Sequence, residues 1–311
     1  MIYSAADANS QDVAIVESSR SLLRSSFSPA ARYLVAGESS ATNGRNLIVV
    51  ATSDVGPIQT FAEDNQIGRW LRVARTWAPG EGRFMRNTLR PAMNVIDIGA
   101  NIGYFTALAA RAVGSNGRVL AVEADPETFA LLRSNVDMND FDNVELVPVA
   151  AHRQSGLISV ARDPSRYGGH TAYVASEARH TTPMQAVRLD DVLDPEAPIH
   201  FIKVDLVGMD HAAVEGLVRT IRKWLPTLLV EFNPEKIGWF GDDPECVLAL
   251  YRTLGLEISI LGSDALRLRN ETDMDVDELI RDCLVLALHA DAEITERTRR
   301  IGLINLVLRP R

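Results

Sequence analysis

Cysteine is nearly absent from this chain: two residues in 311, Cys246 and Cys283. Two thiols alone make neither a disulfide framework nor a tetrahedral zinc site. Both fall in apolar helical runs, which reads as buried free thiols. Long hydrophobic runs are absent too; none approaches the roughly 20 residues that span a bilayer. The opening carries Asp7, Asp12 and Glu17 without a basic-plus-apolar pattern, so neither a secretory signal nor a transit peptide is expected. The expectation is a cytoplasmic protein that does not engage a membrane. Positive charge is in deficit, with 32 Lys and Arg against 41 Asp and Glu and a net charge of −9. That argues against sequence-independent binding of nucleic acid. The one dense basic cluster, Arg297, Arg299 and Arg300, reads as a solvated face. Aromatic residues, at 6%, offer no stacking platform, and there is no internal repeat or low-complexity tract. What is present is a hydrophobic content of 46%, enough for one large α/β domain with an extension, or two small domains.

The stretch from Asn94 to Phe105 carries the most information. Val95, Ile96 and Ile98 form an apolar strand holding Asp97, Gly99 and Gly103 bracket a turn, and Tyr104 to Ala112 has helical composition. Glycine there lets backbone N–H groups approach a ligand. The spacing is G-x-x-x-G, not the G-x-G-x-x-G of nicotinamide enzymes. A carboxylate before the first glycine disfavours a pyrophosphate and suits a cationic, amino-bearing ligand such as S-adenosylmethionine. Twenty residues past Gly103, the strand from Arg118 ends at Glu123, placed to accept two ribose hydroxyls. A nucleotide-free crossover with a solvated Glu123 is the plainer alternative.

Strands and helices alternate from Asn94 onward. Asp125-Pro126-Glu127 is a helix start, with an N-cap, proline at the first position and acid in the first turn. Asn143–Val149, His200–Leu206, Thr227–Phe232, Leu256–Leu261 and Ile304–Leu308 read as further strands. Val214, Leu217, Ile221 and Trp224 mark one helix face, and another helix is expected near 275–290. The pattern is a doubly wound, mostly parallel sheet whose ligands sit at the C-terminal strand ends. Residues 91–311 form that domain. Residues 1–90 read as an N-terminal extension: a short helix from Ser10 to Leu23, a loop over 37–44, a hairpin of 46–52 with 56–61, and a helix in the first half of 65–90. It would serve as substrate cap or dimer contact, admitting a homodimer. Residues 156–190, with Gly168-Gly169, are an excursion expected to help wall the acceptor pocket.

Alternation puts Lys203 and Asp205 on one face of the fourth strand, and Glu231 and Asn233 on one face of the fifth. If those strands are neighbours, the four converge. A carboxylate there could take the proton in methyl transfer to a hydroxyl, or Asp205, Glu231 and Asn233 could hold Mg²⁺ or another divalent ion that acidifies the hydroxyl. The plainer reading is a structural salt bridge. Of six histidines, His152 and His211 fall at the ligand edge, His170 and His180 in the excursion, and His289 in a distal helix. His200 completes the set, and none forms an i, i+4 metal pair.

These segments resemble the FkbM family of S-adenosylmethionine-dependent methyltransferases. Asn94–Phe105 is similar to its first motif, including Asp97, Gly99, Ala100, Asn101 and Gly103. Glu123 matches its ribose-binding acid, Val147–Ala150 the segment beside adenine, Val187–Asp191 a leucine–aspartate run, Ile202–Gly208 its I-K-x-D-x-E-G signature, and Pro226–Glu231 its fifth strand. Val207 stands where the family carries Glu, and Asp210 where a second Glu is common, which shifts weight to Asp205 and Glu231. The resemblance implies a class I, Rossmann-like seven-stranded fold and O-methylation of a small-molecule acceptor, a natural product or sugar moiety. It implies cofactor contacts at Asp97, Gly99, Asn101, Gly103, Tyr104, Phe105, Glu123, Ala124, Ala150 and Asp205, with Lys203, Asp205 and Glu231 catalytic. Methylation of nitrogen or a carboxylate, a catalytically silent cofactor-binding partner, and a nicotinamide oxidoreductase are the competing functions.

Overall fold

The computed structural model describes residues 45–161, 181–261, 268–269 and 304–310. The expected N-terminal helix, the 37–44 loop, the helix near 275–290, Gly168-Gly169, Cys283, His170, His180, His289 and the basic cluster at 297–300 lie outside them.

The chain opens with a hairpin, β1 (Leu47–Ala51) against β2 (Pro57–Phe61). Two helices follow, α1 (Ile67–Ala74) and α2 (Pro79–Thr88), where the sequence suggested one. The break falls at Arg75 and Ala78, both with positive φ, 59° and 38°. Pro79 then opens α2 from its first turn, where its missing N–H is no loss.

The sheet itself begins with β3 (Asn94–Ile98). Helix α3 (Tyr104–Val113) leads to β4 (Arg118–Val122), and α4 (Pro126–Met138) to β5 (Val144–Val147). Asp125 caps α4 as its sequence signature predicts, accepting the N–H groups of Glu127 and Thr128 at 3.1 and 2.9 Å. Two strands of the 156–190 excursion join β6 (Ala150–Ala151) in a separate small sheet, in the order β6, β8 (Thr181–Val187), β7 (Gly156–Ala161).

Then come β9 (Phe201–Val204), α5 (Asp210–Glu215), α6 (Val218–Trp224), β10 (Thr227–Phe232), α7 (Pro234–Trp239), α8 (Pro244–Arg252), β11 (Leu256–Leu261), β12 (Leu268–Arg269) and β13 (Ile304–Pro310). The single helix expected around Val214–Trp224 is thus two. Strand order in the main sheet is β12-β11-β13-β10-β9-β3-β4-β5. β3, β4, β5, β9 and β10 run parallel, and β13 is antiparallel between β10 and β11. The two-residue β12 extends the expected seven strands at one edge.

Both faces of the sheet are covered, as near-continuous apolar strands require. On one face Ile96, Leu120, Ile202, Val230 and Leu306 pack with Ala213, Ile221 and Tyr251. On the other, Val95, Val119, Phe201, Leu229 and Val307 share a core with α2, α3 and the hairpin residues Val50, Ile58 and Phe61. Asn135 on α4 fixes the hairpin: it accepts the Gln59 N–H at 2.6 Å and donates to the carbonyls of Gln59 and Ile102. Residues of the hairpin, α1 and α2, among them Ile58, Leu71 and Met85, thus share the sheet's core on this face. Cys246, expected to be buried, is exposed on α8.

Candidate active site

β9 lies between β3 and β10, with Asp97 beside Lys203 and Lys203 beside Leu229. One step further along, Glu231 sits beside Asn305 of β13. The C-terminal end of this face is therefore polar, above a floor of Phe201, Leu229 and Val307. Lys203 is buried, and its Nζ donates to Asp205 Oδ2 at 2.9 Å. The same ammonium stands 4.6 Å from the centre of the Phe105 ring. Burial opposes its charge, but the carboxylates of Asp205, Asp97 and Glu81 outweigh that and raise its pKa. Burial likewise opposes ionisation of Asp205, yet the Lys203 ammonium prevails and holds its carboxyl below the ordinary range. Glu231 goes the other way: burial, then Asp205 and Asp210, push it well up, and it hydrogen-bonds Asp205. The two carboxyls are thus pushed in opposite directions, Asp205 toward the charged form by Lys203 and Glu231 toward the neutral form by burial and its acidic neighbours.

A third carboxyl supports the segment after β9. Asp210 accepts the N–H groups of Leu206 at 2.8 Å and Gly208 at 2.9 Å. Between them Val207 holds φ 52°, a sparse conformation for a β-branched residue. Burial and Asp205 raise Asp210 to about 7.

A cavity of about 360 Å³ opens at these strand ends. At one end it is lined by the Gly99–Asn101 turn, Tyr104, Phe105, Glu123, Ala124 and Ala150; Lys203, Asp205 and Glu231 line its middle. Glu123 accepts the N–H of Asn101 at 2.9 Å and of Asp125 at 2.8 Å, tying the turn after β3 to the end of β4. Gly99 has φ 75°, and a Cβ there would stand 2.1 Å from the Asp205 carbonyl oxygen, so only glycine lets the two strand ends meet. The opposite end is walled by Trp77, Ala78 and Glu81, with Asn305 across from them, and Ile158, Val160 and Met184 of the small sheet add an apolar side.

Three residues expected at the site stand elsewhere. Asp97 is completely buried behind the cavity wall; its Oδ2 accepts the Thr106 hydroxyl at 2.6 Å, and burial raises its pKa. Gly103 does not line the cavity either: a Cβ there would stand 2.7 Å from Leu132 Cδ1 of α4, so its absence makes room for that side chain. Asn233, proposed as a metal ligand, caps α7 instead, its Oδ1 accepting the Lys236 N–H at 3.1 Å. Of the histidines, His152 lines the cavity, and burial lowers its pKa. His211 is buried against Asp242 at 2.8 Å, and His200 accepts the Asn94 N–H, both outside the cavity lining.

The donor set fits a cationic sulfonium ligand. Glu123, Asp125, Asp205 and Glu231 line the cavity from the β3–β4 end to its middle, and Lys203, already paired, is the one ammonium among the lining residues. A pyrophosphate would meet carboxylates where it needs N–H donors and positive charge. The residues expected to hold a divalent ion are not assembled to do so: Asn233 is engaged as a helix cap and Asp205 is paired with Lys203. No cluster of three or more acidic, His or Cys groups suited to a metal occurs among the described residues.

Glu81 and Asn305 escape a reading of the sequence. Pro79 with Glu81 in the first turn is a helix-start signal, but the two glycines of the segment mask it. Nothing local ties Asn305 to a residue so far away along the chain.

The strand order, with an antiparallel strand inserted beside β10 and an acid-lined cavity at the parallel strand ends, is that of the class I methyltransferases. Residues 97–271, over half of the chain, match the family model described as the methyltransferase FkbM domain, and the chain belongs to that family. Curated relatives match in short segments. An arsenite methyltransferase of Halobacterium salinarum is 40% identical over 78 residues, covering 23% of this chain and 20% of the relative. A catechol O-methyltransferase of Niastella koreensis is 36% identical over 79 residues, covering 25% and 36%. The chain thus spans well under half the length of either. Among solved structures, an FkbM methyltransferase from Methylobacillus flagellatus is similar at 18% identity and a TM-score of 0.38, covering 59% of this chain and 48% of that one. An O-methyltransferase from Thermotoga maritima is similar at 16% identity and a TM-score of 0.41, covering 85% and 78%.

Proposed function

We propose that this chain transfers a methyl group from S-adenosylmethionine to a hydroxyl of a small-molecule acceptor. The observation that carries the reading is the ionised Asp205, fixed by Lys203 at 2.9 Å in the middle of an otherwise acid-lined cavity. When bound, the donor supplies an electrophilic methyl that leaves its sulfur as the acceptor oxygen attacks. The chain supplies the rest. Gly99, Ala100, Asn101 and Glu123 hold the donor at the β3–β4 end of the cavity, with Ala124 and Ala150 beside them. Tyr104 and Phe105 close that end, and Asp97 supports it from behind through Thr106 and Lys203.

Asp205 takes the proton that the acceptor oxygen sheds. A general base must be ionised and open to the acceptor; Lys203 favours the charged form of Asp205, and its side chain lines the cavity with 38% exposure. Lys203 and Glu231, both hydrogen-bonded to it, position it. Methylation of a carboxylate is the poorer reading, because the acceptor would bring a second anion among five carboxyl side chains.

The test compares Asp205→Asn with Glu231→Gln, using labelled S-adenosylmethionine and an acceptor that the unaltered protein methylates. Losing the base should lower kcat by about 10²- to 10⁴-fold. Gln at 231 keeps a neutral donor toward Asp205 and should lower it by less than about tenfold. Equal loss in both, or full activity in Asp205→Asn, would refute the assignment.

A further inference from the structure

The end of the cavity remote from Glu123 is framed by residues outside the family-matched segment: Trp77 and Ala78, then Glu81 from α2, and Asn305 from β13. Glu81 Oε1 accepts the Asn305 Nδ2 hydrogen at 2.8 Å, across 224 residues of sequence. The wall is short of positive charge. Lys203 stands among three carboxyls, Asp97, Asp205 and Glu81, but its ammonium is committed to Asp205 and held over Phe105. Glu231 lines the same region, and its Oε1 has no hydrogen-bond partner among the described residues. Trp77 adds an apolar surface beside these acids.

Among the described residues the one side-chain hydrogen bond to Glu81 comes from a neutral amide, and burial outweighs that, its backbone hydrogen bond and the nearby Lys203 charge, so its carboxylate is under-compensated. A ligand that brings positive charge to Glu81 relieves that deficit, whereas one that brings negative charge adds to it.

We propose that this wall is the acceptor subsite, that Glu81 is its specificity-determining residue, and that the acceptor carries an ammonium group seated on Glu81 with a hydroxyl directed to Asp205. The proposal rests on the methyl-transfer reading above and deepens it. A protonated amine has no lone pair, so an ammonium held by Glu81 is protected from methylation, and the neighbouring hydroxyl is the nucleophile. Atoms balance as in any such transfer: a carbon–oxygen bond forms, a carbon–sulfur bond breaks, and the hydroxyl proton passes to Asp205.

Three ring compounds of matched size test this: 2-aminocyclohexanol, cyclohexane-1,2-diol and 2-hydroxycyclohexanecarboxylate. Each is titrated into the full chain with and without S-adenosylhomocysteine, and binding is read by ligand-observed NMR. The amino alcohol should bind about tenfold or more tighter than the hydroxy acid, with the diol between them. Glu81→Gln keeps the side-chain shape and an oxygen for Asn305. It should erase the advantage of the amino alcohol while leaving S-adenosylhomocysteine affinity within about twofold. An inverted or flat order, no binding of any of the three, or an order unchanged in Glu81→Gln would overturn the proposal. Failure of S-adenosylhomocysteine to bind, with the charge preference intact, would instead sink the methyl-transfer reading and leave the ammonium site standing.

Discussion

At one end of the cavity the lining comes mainly from two short stretches, 98–105 and 122–125. At the other, Glu81 and Asn305 meet from helix α2 and the last described strand. The first end is local chemistry: a strand, a glycine turn and a helix start, then an acid at the tip of the next strand. Its carboxylate, Glu123, holds backbone N–H groups of both stretches. The second end exists only because β13 inserts beside β10 and α2 packs over the same face. A continuous motif makes one half of the site the same wherever it occurs. The half assembled from distant segments is free to differ, and that is where a family with one cofactor would place its choice of acceptor.

The largest effect expected from breaking the first end is at Gly99. Gly99→Ala puts a methyl 2.1 Å from the Asp205 carbonyl oxygen at φ 75°, against backbone that cannot give way. It should cost about 3 kcal/mol or more in urea unfolding and abolish cofactor binding. Gly103→Ala meets the Leu132 Cδ1 atom at 2.7 Å, a side-chain end that can turn aside, at φ 90°. About 1–2 kcal/mol is expected there, with cofactor affinity retained. Equal losses at the two glycines would contradict the different roles given to them.

Between the two ends, Lys203→Met should destabilise by about 3–5 kcal/mol, because it leaves Asp97 buried beside Asp205 without the ammonium that both lean on. A melting curve within 1 °C of the unaltered protein would show that the ion pair is ornamental.

Acidity offers a further handle. Asp97, Glu81, Glu231 and Asp210 all have raised folded-state pKa values, so the folded chain holds protons that the unfolded chain releases. Stability should therefore fall as pH rises from about 4 through the folded-state values of these groups, that of Asp210 lying at about 7. Asp205, with a lowered pKa, acts oppositely: its contribution is present above its unfolded value near 3.8 and lost as pH falls through its folded one. Each raised group adds a slope of up to about 1.4 kcal/mol per pH unit, and Asp210→Asn should flatten the curve as pH approaches about 7. Unfolding midpoints between pH 4 and 8 would show it, and a midpoint that rises steadily toward pH 7 would contradict the assignment.

The smallest effect is expected at Asn233. Asn233→Ala removes a helix cap and should cost about 1 kcal/mol, with turnover unchanged and insensitive to chelator. Loss of turnover restored by Mg²⁺ would return Asn233 to the site.

What was legible in the sequence follows the same division. The parallel strands, the Asp125 cap and the glycine turn are dictated by neighbours a few residues apart, and their positions hold in the structure. Alternation brought Lys203 and Glu231 to neighbouring strand ends, and Asp205, one residue past the end of β9, turns back to pair with Lys203. Alternation misled at Asn233, because the strand ends at Phe232 and the next side chain turns to cap α7. Asp97 reads as a ligand contact from its motif, yet a strand residue in mid-sheet is walled off by the helix packed over it. The two breaks after Ala74 and Glu215 depend on tertiary packing that helical periodicity cannot report.

The central claim is that the Gly99–Asn101 turn and Glu123 hold S-adenosylmethionine. Calorimetry with S-adenosylhomocysteine tests it most directly. The account predicts saturable heat with the unaltered protein, a loss of about 1–3 kcal/mol of binding energy in Glu123→Ala, and no heat with NAD. Heat with NAD and none with S-adenosylhomocysteine, or undiminished binding in Glu123→Ala, would contradict it.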